Sequence, residues 1–191
     1  MDTGSIIFWV IIAFTAFYAI NIYNHLVRIK HNVSKAWSNI DVLLKQRHDE
    51  IPKLVEVCKQ YMKFEKQTLE KVMQARSQVS SARQSQDMGQ LGNAEGILRM
   101  GLGNLFAVAE AYPELKANEN FQHLQNRISS LESAIADRRE FYNESVNINN
   151  TRIEQFPDII IARLLNFTAR DLLEFEAAEI QDVNLNKLFS E

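Results

Sequence analysis

Imidazole titrates near neutral pH and is a common metal ligand, so the four histidines are the first place to look for chemistry. They are His25, His31, His48 and His123. A di-iron bundle needs Glu-x-x-His on two helices. The residues three before each histidine are Ile22, Arg28, Lys45 and Asn120, so that motif is missing. Glu119 and His123 are four apart and share a helix face, but they stand alone at a helix start and read as a solvated pair. The single cysteine, Cys58, rules out an internal disulfide and lies on an apolar helical face, as a packed thiol does. Five of the six glycines fall between Gly89 and Gly103. No GK[ST] follows them and no strand precedes them, so they read as close helix approach or a loose connection, not a phosphate loop. The expectation is no catalytic residue, no cofactor, no metal and no small-molecule substrate.

A different set of polar residues stands out by position. Arg47 and Arg138 fall in the apolar phase of two different helices, as do Glu65 and Asn149. Two readings are open. Long arginine stems can cover a core edge while their heads reach water, or the four can form a buried polar layer that fixes register. Pro52 lies just beyond Arg47. A proline inside a helix lacks the donor for the carbonyl four residues back. Here that frees a carbonyl near His48, for which a nearby arginine is a suitable donor. The expectation is a kinked, register-locked structural helix.

The elements that position these residues follow from periodicity. The chain has 191 residues and 46% are hydrophobic, enough for a core; six glycines and three prolines suit long helices better than a turn-rich sheet. Ser5 to Tyr23 is free of charge. At about 1.5 Å per residue it nearly matches a hydrocarbon core of roughly 30 Å. Its acidic start, "MDTGS", lacks the basic region of a cleaved signal, so a permanent span over about 5–23 is expected. Asp2 precedes the span, and Arg28, Lys30 and Lys35 follow it. The positive-inside rule then puts the N-terminus outside and the rest in the cytoplasm, with these three basic residues close to lipid.

Beyond the span, a 3–4 spacing of near-heptad character runs from Leu26 through Trp37, Ile40, Leu44, Ile51, Leu54 and Cys58 to Leu69 and Met73, interrupted at Arg47, Glu65 and Thr68. If continuous from Asn24 to Arg83, this helix would be about 90 Å long. Residues 80–92 read as a turn and a second helix runs on to about Ala111. Asn118 is placed to cap a third, whose seam is Phe121, Leu124, Ile128, Leu131, Ile135, Tyr142, Val146, Ile153 and Phe156. Pro157 can open a last one, "DIIIARLLNF". The predicted fold is all-α: an N-terminal transmembrane helix over residues 1–23, continuing into a long-helix, antiparallel, four-helix-type bundle over 24–170, then an acidic amphipathic tail over 171–191.

Charge is unevenly spread. Residues 24–85 carry twelve Lys/Arg against six Asp/Glu, and residues 171–191 carry six acids against one lysine. Either these are solvated surfaces of one bundle, or basic and acidic surfaces meet between neighbouring chains. In the second case Leu172, Leu173, Phe175 and Phe189 supply affinity while Glu174, Glu176 and Glu179 choose the partner. The basic residues are diluted by acids throughout, so nucleic acid is not an expected partner.

The stretches "YNHLVRIKHNVSKAWSNIDVLLKQRHDEIPKLVEV" (23–57), "LFAVAEAYPELKAN" (105–118) and "YNESV…FP" (142–157) resemble the LemA family of bacterial membrane proteins. The resemblance runs from Tyr23 to about Phe167 and is most specific around Ala36-Trp37-Ser38, Ile40-Asp41, Arg47, Asp49 and Ile51-Pro52. It implies an N-terminal membrane helix and a cytoplasmic antiparallel bundle and supplies no enzymatic activity, because the family's biochemical role is unsettled; relatives that form magnetosomes point to membrane shaping. The chain departs from the family pattern in having Asn149-Asn150 for Tyr-Asn, and Asn166 where glycine is common. Two expectations of function stand. One is a self-assembling, homo-oligomeric scaffold at the inner membrane, in contact with lipid. The alternative is an adaptor or signalling stalk that binds an unidentified protein partner through the bundle.

Overall fold

The computed structural model describes residues 2–174, and Phe175, Glu176, Glu179 and Phe189 lie outside them. Among the described residues there are helices and no strand: α1 (Thr3–Tyr61), α2 (Lys66–Ser85), α3 (Met88–Ala109), α4 (Pro113–Lys116), α5 (Glu119–Glu154) and α6 (Asp158–Leu164). The fold is all-α, a long N-terminal apolar helix followed by further helices that pack together. It divides into two compact units. The first is residues 2–39 with Glu140–Leu172; the second is Ile40–Arg139 with Leu173 and Glu174.

In the second unit the helices alternate in direction. As α1 advances from Asp41 to His48, its polar partners on α2 fall from Arg83 to Arg76, so the two are antiparallel. As α1 advances from Arg47 to Tyr61, its partners fall from Glu132 within α5 to Asn118 just before it, so this pair is antiparallel too. Apolar residues at three- and four-residue spacing supply the core: Ile40, Leu44, Ile51, Leu54 and Cys58 on α1, Leu69 and Val72 on α2, Leu91, Leu98, Leu102 and Leu105 on α3, and Phe121, Ile128 and Leu131 on α5. Each fully buried aliphatic side chain of this kind contributes roughly 1.5–3 kcal/mol.

The connections differ from the periodicity reading in two places. The long helix is not continuous to Arg83: α1 ends at Tyr61 and α2 starts at Lys66. Met62 still packs in the core, while Phe64 in the turn is 94% exposed. The interruption at Glu65 marks this turn, Thr68 lying already in α2; Glu65 occupies the N-cap position of α2 without a side-chain cap bond. Conversely, residues 80–92 are mostly helical. Buried Val79 and Ala82 carry α2 on to Ser85, Gln86 adopts a left-handed φ of 54°, and the Asp87 side chain caps α3 by accepting from the Gln90 N–H at 2.9 Å. All five clustered glycines lie in α3. Glycine weakens a helix by about 1 kcal/mol relative to alanine, so α3 depends on its buried leucines. At the α5 start, Asn118 accepts from the Phe121 N–H at 3.1 Å and donates to the Tyr61 hydroxyl at 3.1 Å.

In the first unit, α1 carries the one helix segment among the described residues that is long and apolar enough to cross a membrane. Its large apolar residues from Ile6 to Ile20 are exposed. The edge of Trp37 meets Tyr142 of α5 with ring centroids 6.1 Å apart. Ile22 and Leu26 of α1 pack with Ala162 of α6, flanked by Ile153, Ile161 and Phe167.

Candidate functional site

The densest polar arrangement is an ion cluster inside the second unit. Three helices supply it: Arg47 from α1, Glu95 from α3 and Glu132 from α5. Arg47 is 2% exposed, so its guanidinium stays inside rather than reaching water. One terminal nitrogen donates to both Glu95 carboxylate oxygens, to Oε2 at 2.6 Å. The other lies 3.9 Å from Glu132 Oε1. Arg47 Nε and Glu132 Oε1 are buried without a hydrogen-bond partner. A cavity of about 300 Å³ opens beside them, lined by Arg47, Glu95, Arg99, Ser129, Glu132 and Ser133.

Burial pushes the Glu132 carboxyl above its ordinary range; Arg47 and Arg99 pull it back, and Glu95 adds to the rise. Two carboxylates facing one buried guanidinium suit a layer that tolerates a proton on Glu132. Glu95 was not anticipated from sequence, although Leu91, Leu98 and Leu102 put its position in the buried phase of α3.

One turn further along α1 is the answer to Pro52. The helix runs through it. The His48 carbonyl that Pro52 leaves without a donor accepts from Arg76 Nε of α2 at 2.9 Å. Arg76 Nη2 also contacts His48 Nε2 at 2.6 Å, which requires a lone pair there and so the tautomer protonated on Nδ1. Burial and the neighbouring Arg76 and Arg83 hold the His48 pKa below its usual value, against a smaller opposing pull from Asp49. Arg83 closes the series with a 3.0 Å bond to Asp41.

The other sequence candidates are dispersed. Arg138 is exposed on α5 and takes no part in the ion cluster; between Ile135 and Tyr142 the buried phase passes by the half-buried Arg139 instead. Asn149 is buried in the first unit and donates to Asn150 Oδ1 at 3.1 Å and to the Thr168 carbonyl at 3.3 Å. Asn150 donates to the Arg170 carbonyl and accepts from the Arg170 N–H, both at 2.9 Å. Asn166 has φ 54°, the left-handed region that suits glycine and that asparagine tolerates better than most residues.

Arg28, Lys30 and Lys35 are exposed along α1. Leu172 is half-buried and Glu174 exposed, but Leu173 is buried within its own chain, which removes its side chain from a contact between copies. Among the described residues, no three His, Cys, Asp or Glu side chains converge so as to hold a metal ion.

A second surface feature lies where α1 turns into α2. Val55, Met62, Leu69 and Met73 line an open groove of about 660 Å³ together with Lys59, Lys63, Lys66 and Glu70, of which Lys66 and Glu70 pair at 3.6 Å.

These features define a class: an all-helical protein with an apolar N-terminal helix of membrane-spanning length and a bundle cross-linked by buried ions. A sequence model of the LemA family matches residues 36–186, and the chain belongs to that family. It is similar to Protein LemA of Metamycoplasma hominis, 27% identical over 164 residues covering 85% of this chain and 73% of the relative. It is also similar to Magnetosome protein MamQ 2 of Paramagnetospirillum magneticum, 29% identical over 98 residues, 51% of this chain and 36% of the relative. Magnetosome protein MamQ of Magnetospirillum gryphiswaldense is 30% identical over 74 residues, 39% of this chain and 27% of the relative. The chain thus matches only about a third of the length of the MamQ relatives. None of these names denotes an enzyme.

Proposed function

We propose that the chain is a membrane-anchored, non-enzymatic scaffold whose copies assemble by docking the acidic C-terminal segment of one into the lysine-lined groove of another. The observation that carries this reading is the groove itself, lined by the apolar Val55, Met62, Leu69 and Met73 together with Lys59, Lys63 and Lys66. Residues 171–191 have the complementary chemistry, six acids against one lysine, with Leu172, Phe175 and Phe189 among them. Exposed ion pairs contribute about 0–1 kcal/mol each. Charge therefore chooses the partner, and apolar residues entering the groove supply the affinity. Anchoring to one bilayer raises the effective concentration of neighbours, so weak contacts suffice.

The charge step from Asp2 to Arg28, Lys30 and Lys35 supports a cytoplasmic bundle and an outside N-terminus at a bacterial inner membrane. The relatives named as magnetosome proteins favour a role in organising or curving that membrane. The competing reading is an adaptor that binds a different protein, and the exposed Phe64 beside the groove favours it.

Particle size of the full-length protein in mild detergent separates the two. Truncation after Glu174 is expected to reduce large complexes to small ones while helicity persists. Changing Lys59, Lys63 and Lys66 to Glu is expected to do the same. Adding Glu174, Glu176 and Glu179 to Lys in that variant is expected to restore assembly. Complexes of unchanged size after truncation would defeat the scaffold reading; a purified protein that is small from the start would favour the adaptor.

A further inference from the structure

Helix α6 is amphipathic in an unusual sense, because its more apolar face is turned outward. Asp158 and Ala162, four apart, are buried. On the other side Ile160 and Leu164, also four apart, are 56% and 73% exposed; Phe156, in the turn before α6, and Leu165, just past its end, are exposed as well. A stripe of this kind in water is unfavourable, and stripes of apolar residues left open mark interaction surfaces.

The position of the stripe indicates its occupant. The inner face of α6 packs through Ala162 and Ile161 against Ile22 and Leu26 of α1. Phe167, just past α6, meets the edge of Tyr23 with centroids 6.2 Å apart. Ile22 and Tyr23 are the last residues of the uncharged stretch that begins at Ser5. The stripe therefore sits at the level where a spanning α1 leaves the hydrocarbon. Around it stand groups suited to headgroup phosphates. Arg28 and Arg163 are exposed, and Arg152 keeps 44% of its side chain exposed while pairing with Asp158 at 3.5 Å, which neutralises the one acid on the inner face of α6.

We infer that α6 is an in-plane membrane helix: Phe156, Ile160 and Leu164 insert into the boundary between headgroups and acyl chains, with Arg28, Arg152 and Arg163 at the phosphate level. The inference rests on the reading that α1 spans the membrane. It adds a second lipid contact, set by α6 rather than by the span. Short amphipathic elements bind an interface by their apolar area and by attraction to anionic lipid, and an adjacent anchor removes the need for high affinity.

The test uses the full chain in nanodiscs of mixed zwitterionic and anionic phospholipid. Thr15→Cys, Leu164→Cys and His123→Cys are each labelled with an environment-sensitive fluorophore, at mid-span, in the stripe and on the exposed face of α5. Quenching by a nitroxide on an acyl carbon, shallow for positions 164 and 123 and deep for position 15, is compared with quenching by aqueous iodide. The expected result is that position 164 is quenched by the shallow nitroxide and is severalfold less sensitive to iodide than position 123. If 164 behaves like 123 while 15 is lipid-quenched, the span stands and the inference about α6 is wrong. If 164 is shielded from both quenchers, a protein covers the stripe and the lipid proposal is overturned. If 15 also escapes the nitroxide, the spanning reading falls and takes this inference with it.

Discussion

The two units fasten their helices with different chemistry. The second unit buries full charges: Arg47 against Glu95 and Glu132, with Arg76 on the His48 carbonyl and Arg83 on Asp41 as less buried supports. The first unit relies chiefly on neutral amides, Asn149 and Asn150, which hold the backbone of residues 168–170 against α5. The first unit also contains the apolar stretch. An amide is far cheaper to desolvate than an ion. The comparison teaches that full charge is held inside where three helices surround it, while amides fasten a chain segment that runs along one helix.

Breaking the ion cluster is the strongest test. Arg47→Met leaves Glu95 and Glu132 facing each other without their cation and is expected to destabilise the protein by about 3–5 kcal/mol. Adding Glu95→Leu and Glu132→Leu is expected to recover most of that loss, since well-packed apolar replacements of buried ion pairs are often neutral or better. Denaturant unfolding followed by circular dichroism reads both; a single variant as stable as the parent would mean the cluster is not held in its charged form.

The amide fastening should be weaker. Asn149→Leu strips the Thr168 carbonyl of a donor and is expected to cost about 1–3 kcal/mol. Hydrogen exchange should rise in residues 165–172 and stay unchanged across 40–139. Exchange that rises equally everywhere would erase the contrast between the units.

Next comes the proline. Arg76→Met is expected to cost about 1 kcal/mol, because the His48 carbonyl loses its donor. In a Pro52→Ala background the restored N–H can serve that carbonyl, so the same change should cost less. Equal losses in both backgrounds would show that Arg76 acts through packing alone.

The smallest effect is one of sign. Glu132 has its carboxyl raised above the ordinary 4.5, burial being the main cause. Between the unfolded and folded values the native protein holds a proton that the unfolded chain has released. Stability should therefore fall as pH rises from about 4.5 through the folded value, and Glu132→Gln should flatten that decline. A Gln variant with the parent's pH profile would remove Glu132 from the linkage.

The contrast between units was only partly legible in the sequence. Apolar spacing gave the helical class and the buried seam of α5 from Phe121 to Val146, but not its end, since Phe156 lies beyond the helix and is exposed; it also singled out Arg47 and Asn149, because a polar residue in an apolar phase is visible in one dimension. Partners were not visible. Arg76 and Glu132 belong to other helices, and single-sequence periodicity does not say which turn of one helix faces which turn of another. Glu95 was hidden by the glycines of α3, which suggest a loose connection until the leucines around them are seen to be buried. Glu65 shows the opposite failure: a polar residue in phase was the start of a new helix, because periodicity cannot distinguish a skipped seam position from a turn that happens to keep step. The departure at Asn166 became intelligible only through its left-handed backbone.

Cys58 has a consequence of a more practical kind. It is wholly buried on α1 in the second unit, and burial pushes its thiol up to about 12. Only the thiolate attacks an alkylating reagent, so the folded state leaves this sulfur chemically silent. Reaction must wait for the bundle to open, and its rate counts those openings. The protein thus carries a native clock for its own breathing, one that stays out of the way of any cysteine placed on the surface.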